Sequence, residues 1–144
     1  MKSNAVVIAL FLLAVTSGSV ARADANAELE ATLREVTEKS LAAYDRENAQ
    51  EAIAYVHTRS PDYEGTRLAL QKQFEDLDVR PELVYFDFIG HDDEFAVARV
   101  KLKTVATDDS AFQNNIVDSI LLFHQEDGVW KAWSDHILGV ELID

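Results

Sequence analysis

No cysteine occurs in the chain, so neither a disulfide nor a lipidated cysteine can tie it down. Basic residues are few: 13 Lys and Arg stand against 26 Asp and Glu, a formal net charge of −13. That excess repels phosphate backbones and anionic membrane surfaces, which argues against nucleic acid as a partner. Two prolines and five glycines among 144 residues are too few for a collagen-like or low-complexity chain, and no internal repeat is present. The longest apolar run, Ala5 to Val15, is roughly a dozen residues, short of the ~20 that a helix needs to cross a bilayer.

What is present begins with a leader. Lys2 precedes the apolar run, and Ala21-Arg22-Ala23 supplies a small-x-small cleavage site. Residues 1–23 therefore read as a signal peptide cut before Asp24, or before Asn26 if the overlapping triplet Ala23-Asp24-Ala25 is used. The expectation is an exported protein of the periplasm or the medium, with no membrane anchor and one domain over residues 24–144. Removing the leader takes away Lys2 and Arg22 and no acid, leaving 11 basic against 26 acidic residues, a net −15. About 120 residues suffice to bury one core without disulfides.

From Leu29 the apolar spacing is helical through Leu33, Val36 and Tyr44. Asn48 with Glu51 has the form of a capping box before a second helix reaching about His57. Ser60-Pro61 resembles the start of a third, carried by Tyr63, Arg67, Leu70, Phe74 and Leu77 and ending near Asp78. After Pro81 the period becomes two, and four strands are predicted: Leu83 to Ile89, Phe95 to Val105, Asn115 to His124, and Val129 to about Leu142. Turns fall at Gly90-His91-Asp92-Asp93 and Gln125-Glu126-Asp127-Gly128, with a longer connection at Asp108 to Ala111. Ala96, Ala98, Val100 and Leu102 share one strand face and Arg99, Lys101 and Lys103 the other. Three helices followed by an antiparallel meander define an α+β fold.

Leu41-Ala42-Ala43-Tyr44-Asp45 with Ala49 and Ile53, the strand Phe95 to Val100, and the closing run Asp127 to His136 together resemble the nuclear transport factor 2-like superfamily, which includes SnoaL-like and ketosteroid isomerase groups. The resemblance spans about Glu28 to Ile143. It implies three helices packed against a curved four-stranded sheet, a cone-shaped α+β barrel or cystatin-like roll whose open end is a ligand pocket, and pairing of subunits through the sheets. Isomerase chemistry needs an aspartate base, a tyrosine and a protonated aspartic acid. Matching on Leu41-Ala42-Ala43 puts Ser40 at the tyrosine position, matching on Gly128 puts Ile120 at the acid, and His57-Thr58-Arg59-Ser60-Pro61 leads into the third helix where the base-bearing strand belongs. That chemistry is not expected here. Cyclase or hydrolase chemistry of the kind found in relatives stays open.

Asp118 interrupts Ile116, Ile120 and Leu122 on one face of the third strand, where an ionised group needs a partner, and Arg99 is within cross-strand reach. Asp118 and Asp135 are the carboxylates considered for acid-base work; a cross-strand ion pair is the structural reading of Asp118. The ligand-binding set is Tyr55, Tyr63, Phe88, Arg99, Asp118 and Trp133, aromatic walls with convergent polar groups. Whether Arg99 faces the cone or a dimer partner turns on a register that one residue would reverse. His57, His91, His124 and His136 lack paired metal-ligand spacing, and no metal or cofactor is expected. Ser134 and His136 share a strand face without a glycine elbow.

The sequence thus supports an exported binding domain that holds a small, partly apolar ligand in its cone. An enzyme using Asp118 or Asp135, and an interaction or dimerisation module with no open pocket, are the alternatives. A homodimer through the sheet is expected.

Overall fold

The computed structural model describes residues 17–144, so the apolar run Ala5 to Val15 lies outside the described residues. Helix α1 (Ser17–Asp45) starts well before Leu29 and runs through the Ala21-Arg22-Ala23 triplet, where closely spaced alanines favour helix. No helix among the described residues is long and apolar enough to cross a membrane. Helix α2 (Ala49–Ile53) is capped by Asn48, whose side chain accepts a 3.0 Å bond from the Glu51 N–H and donates to the Glu51 carboxylate at 3.2 Å. It stops four residues short of His57 because Val56 is drawn into a parallel bridge with Ala132. Helix α3 (Tyr63–Asp76) begins later than Ser60-Pro61 suggests: the Ser60 hydroxyl is committed to the Trp133 carbonyl, and Asp62 takes the N-cap position without a side-chain cap bond.

Strands β1 (Val79–His91), β2 (Phe95–Ala106), β3 (Asn115–Glu126) and β4 (Val129–Leu142) form one antiparallel sheet in that order. The first strand extends beyond its expected span on both sides and takes in Pro81, which an edge strand tolerates. Asp127 (φ 53°) and Gly128 (φ 79°) occupy the two left-handed positions of the tight turn into β4, where only glycine and small polar residues sit without strain. At the first hairpin Asp92 Oδ1 accepts from the Glu94 and Phe95 N–H groups at 2.8 and 2.7 Å.

The alternation read from β2 holds. Ala96, Ala98 and Val100 are fully buried, face Leu33 of α1, and pack with Phe86 and Phe123 from the flanking strands. The Arg34 guanidinium lies over the Phe86 ring at 4.9 Å and donates to the Phe86 carbonyl at 3.3 Å, fastening α1 to β1. A second cluster, Ala43, Ala52, Ile53 and Leu70, joins the helices, with Tyr44 and Phe74 edge to face at 4.9 Å. Burial pushes the Tyr44 hydroxyl up to about 12. Register shifts in β1 and β4 leave both outer strands bulged, the device that curves a sheet around a helix.

Candidate functional site

The concave face of the sheet is set by the register. Ala98 pairs with Leu121, Val100 with Ser119, and Leu121 with Asp135 on β4, so these side chains share the face that carries the core. The alanines of β2 take up little volume there. The space is closed at one end by residues 55–60, which cross from α2 to β4. The His57 N–H donates to the Ala132 carbonyl and the Ala132 N–H to the Tyr55 carbonyl, both at 2.8 Å. The Ser60 hydroxyl donates to the Trp133 carbonyl at 2.5 Å, and Thr58 is held by Glu126 through its N–H (3.1 Å) and its hydroxyl.

His57 is the pin of this crossing and is fully buried. Its Nδ1 accepts from the Arg59 N–H at 3.0 Å, which places the ring proton on Nε2, 3.3 Å from the Gln125 carbonyl. Glu126 Oε1 comes within 3.6 Å of Nδ1, a nitrogen already serving as an acceptor. The ring meets His124 and Trp133 edge to face at 4.8 and 4.9 Å. Glu126 is bonded by Lys131 at 2.5 Å and by Thr58, and these partners hold its carboxyl down at about 2.

Two adjoining cavities result. The inner one, about 150 Å³, lies between α1 and the sheet and is almost wholly apolar, lined by Val36, Leu41, Leu102, Leu121, Phe123 and Ala132 with Thr37, Ser40 and Tyr55. The outer one, about 440 Å³, shares Leu121 and Ala132 and adds Val56, Asp62, Thr66, Trp133, Ser134 and Asp135. Desolvation raises the Asp135 carboxyl above the ordinary aspartate range and nearby Asp62 adds to the rise, while Ser119 and His136 oppose it. Residue 135 is exposed at the cavity mouth. The Ser119 hydroxyl has no hydrogen-bond partner at bonding geometry, although the side chain is 1% exposed and close enough to act on Asp135.

The expected site residues separate. Tyr55, Trp133 and Asp135 line the cavities. Arg99 and Asp118 do not: Arg99 pairs with Ile120 and Asp118 with Lys101 on the opposite, convex face, where they form a two-pronged ion pair at 2.9 and 2.6 Å. That pair lowers the Asp118 carboxyl, chiefly through the Arg99 hydrogen bonds, so the ion-pair reading of Asp118 describes it. Phe88 is spent in the core against Ala98 and stacks on His91, and Tyr63 packs in the helical cluster beside a groove between α2 and α3. Ile120 also falls on the convex face. The residues that look into the cone from β3 are Ser119 and Leu121, one step to either side of the position expected from Gly128. Ser134 Oγ lies 3.2 Å from His136 Nε2, an exposed pair, and among the described residues no acid hydrogen-bonds to that histidine. Asp62 and Ser119 were not expected; the local cue for Asp62 was its place just after Pro61, ahead of a helix.

Among the described residues, no group of three or more His, Asp or Glu side chains is arranged to hold a metal ion. Solved structures of similar shape include a protein of unknown function from Mycobacterium tuberculosis (TM-score 0.73, 7% identity, 86% of this chain and 78% of that one). Another is a protein from Novosphingobium aromaticivorans provisionally described as a scytalone dehydratase (0.66, 10%, 85% and 89%). A third is a nuclear transport factor 2-like protein of unknown function from Pseudomonas putida (0.64, 13%, 77% and 86%). At these identities the likeness shows the fold, which is the nuclear transport factor 2-like one. No curated protein is similar enough in sequence to count as a match. Residues 35–143 match the profile of the family described as the anti-sigma-I factor RsgI9, C-terminal domain.

Proposed function

The chain belongs to the anti-sigma-I factor RsgI9 C-terminal domain family, and from that premise we propose that it is an exported recognition domain binding a small, partly apolar molecule in its cone. The observation that carries this reading is the pair of adjoining cavities on the concave face, an apolar chamber of about 150 Å³ opening beside a polar mouth of about 440 Å³. Open space with converging polar groups argues against a module with a filled cone. The family's name refers to a domain of a regulatory factor, which is consistent with recognition in place of turnover. Export rests on Lys2, the apolar run and the cleavage triplet. Pairing through the sheet rests on the convex face, where Val97, Ile116, Ile120 and Leu122 are only partly covered around the Arg99–Asp118 pair.

Native mass spectrometry of the protein purified from an exporting host tests the reading. A mass starting at Asp24 or Asn26, a dimer, and an extractable retained compound support export, pairing and binding in turn. Ala132→Trp fills the wall common to both cavities and is expected to abolish retention without unfolding the domain; retention unchanged in that variant would place the ligand elsewhere. An enzymatic reading rests on Asp135, since among the described residues its carboxyl alone combines a cavity position with a raised pKa. Substrate turnover lost in Asp135→Asn and kept in Asp118→Asn would favour it.

A further inference from the structure

The inner cavity is built unlike the mouth it adjoins. Its wall is apolar, with Val36 and Leu41 from α1, Leu102 from β2, Leu121 and Phe123 from β3 and Ala132 from β4, and no Asp, Glu, Lys, Arg or His among the described residues lines it. The Thr37 hydroxyl at its edge is spent on the Leu33 carbonyl at 2.9 Å, which leaves Ser40 and Tyr55 as the hydroxyls that face a ligand. Burial gives an independent sign of open space. Val36, Leu102 and Leu121 pack against the fully buried Leu33, Ala98 and Val100, yet each stays only partly covered on the side of the sheet that carries the core. Apolar space of this size stays free of water and takes small aromatic molecules, so an organic group is what completes it.

We propose that the inner cavity takes one uncharged aromatic ring, a phenyl or phenol group, which enters past Leu121 and Ala132 while the rest of the ligand stands in the outer cavity. This rests on the small-molecule reading above and names the group that is buried first. Size sets one limit: about 150 Å³ holds a single six-membered ring and excludes a fused four-ring skeleton. Charge sets another, because an ion brought into a chamber with no counter-charge loses its hydration without compensation. Shape decides between a ring and a chain. Phe123 and Tyr55 present aromatic rings on the wall, against which a further ring packs edge to face, a gain that a saturated chain does not make. A chain of equal carbon number also gives up torsional freedom on entry, and a rigid ring has none to lose. One hydroxyl on the ring is answered by Ser40 or Tyr55, each able to donate or accept.

The test is an NMR titration of the protein from an exporting host with phenol and with 1-hexanol, following the Val36 and Leu102 methyl groups for the inner cavity and the Trp133 indole N–H for the outer one. Phenol is expected to shift both sets of methyl groups saturably and to bind about tenfold more tightly than hexanol, the worth of the freedom that the chain gives up. Ser40→Phe, which places a ring in the same space, is expected to abolish those shifts and to raise the thermal midpoint, and the smaller filling Val36→Leu acts in the same sense. Hexanol binding as tightly as phenol overturns the ring assignment and leaves an apolar chamber. Phenol that shifts Trp133 and neither set of methyl groups, or that binds Ser40→Phe as it binds the parent, overturns the placement while the binding cone stands. Both filling variants melting below the parent shows the space to be closed and overturns the chamber. Absence of any shift from either probe overturns the cone reading with it.

Discussion

Replacing His57 by alanine tests whether the crossing of residues 55–60 onto β4 is what closes the cone. The ring is fully buried and bonded at both nitrogens, to the Arg59 N–H at 3.0 Å and the Gln125 carbonyl at 3.3 Å. Alanine leaves the Arg59 N–H without its partner, at about 1–3 kcal/mol if it stays dry, while the Gln125 carbonyl keeps the His124 Nδ1 at 2.8 Å. It also removes the edge-to-face contacts with His124 and Trp133, and a large-to-small change in a packed site costs about 2–4 kcal/mol when the space does not collapse. Because the crossing lies at the protein surface, water can reach part of what is exposed, and the expected loss is about 4 kcal/mol. For a domain of this size that is a fall in Tm of roughly 15 °C, and a sizeable share of a typical total stability of 5–15 kcal/mol. Urea unfolding followed by tryptophan fluorescence reads it directly, and an unchanged slope shows that the native state is otherwise intact. His124→Ala, at a partly exposed position of the same aromatic group, is the control and should cost about 1 kcal/mol. A loss below about 1 kcal/mol in His57→Ala refutes the pinning role.

Glu126 is depressed to about 2 in the fold, so the stability it contributes is present above the ordinary glutamate range and disappears as pH falls from about 4.5 toward 2. Glu126→Gln is accordingly less stable than the parent at neutral pH, and the two urea midpoints converge at the acid end. Asp135 behaves in the opposite sense. Its carboxyl is raised, ionising it opposes folding, and Asp135→Asn is expected to unfold at a higher midpoint than the parent at pH 7 with no advantage at pH 3. Gly128→Ala places a side chain at φ 79° in the turn before β4 and costs about 1 kcal/mol, read by the shift in thermal midpoint. Ile120→Lys on the convex face leaves the melting curve nearly unchanged and turns a dimer into a monomer by light scattering; a dimer that persists places the contact elsewhere.

Most of the fold was legible because side-chain direction in a strand alternates strictly. Ala96, Ala98, Val100 and Leu102 could be assigned to one face from the sequence, and three of them are fully buried. Helix ends were harder. The early stop of α2 and late start of α3 follow from Val56 pairing with Ala132 and Ser60 bonding Trp133, contacts between residues some 70 positions apart that leave no local trace. Ile120, the position matched from Gly128, faces outward because side chains alternate along β3, and Ser119 and Leu121 on either side of it face the core. The site otherwise suffered from the same cause as the helix ends. The cue at Asp62, its place just after Pro61 and ahead of a helix, did not point to the cavity because its position there depends on the whole crossing.

The two carboxylates singled out from sequence show what separates a structural acid from one available for function. Asp118 and Asp135 both lie on adjacent strands of one sheet, in stretches rich in apolar residues. Asp118 is answered by Arg99 with two hydrogen bonds and reinforced by Lys101 at 4.0 Å, so its charge is satisfied within the chain and its pKa falls. At Asp135 desolvation and, more weakly, a second aspartate outweigh the opposing Ser119 and His136, and its pKa rises. The first carboxylate is answered by an arginine, whereas the second has no ion pair with a Lys or Arg among the described residues and only Ser119 and His136 oppose its rise. Lowest free energy for the folded protein alone would have favoured an arginine near Asp135 and an alanine at Ser119. With neither present, the carboxyl of Asp135 is held at a cost in stability, which removal of its charge is expected to relieve.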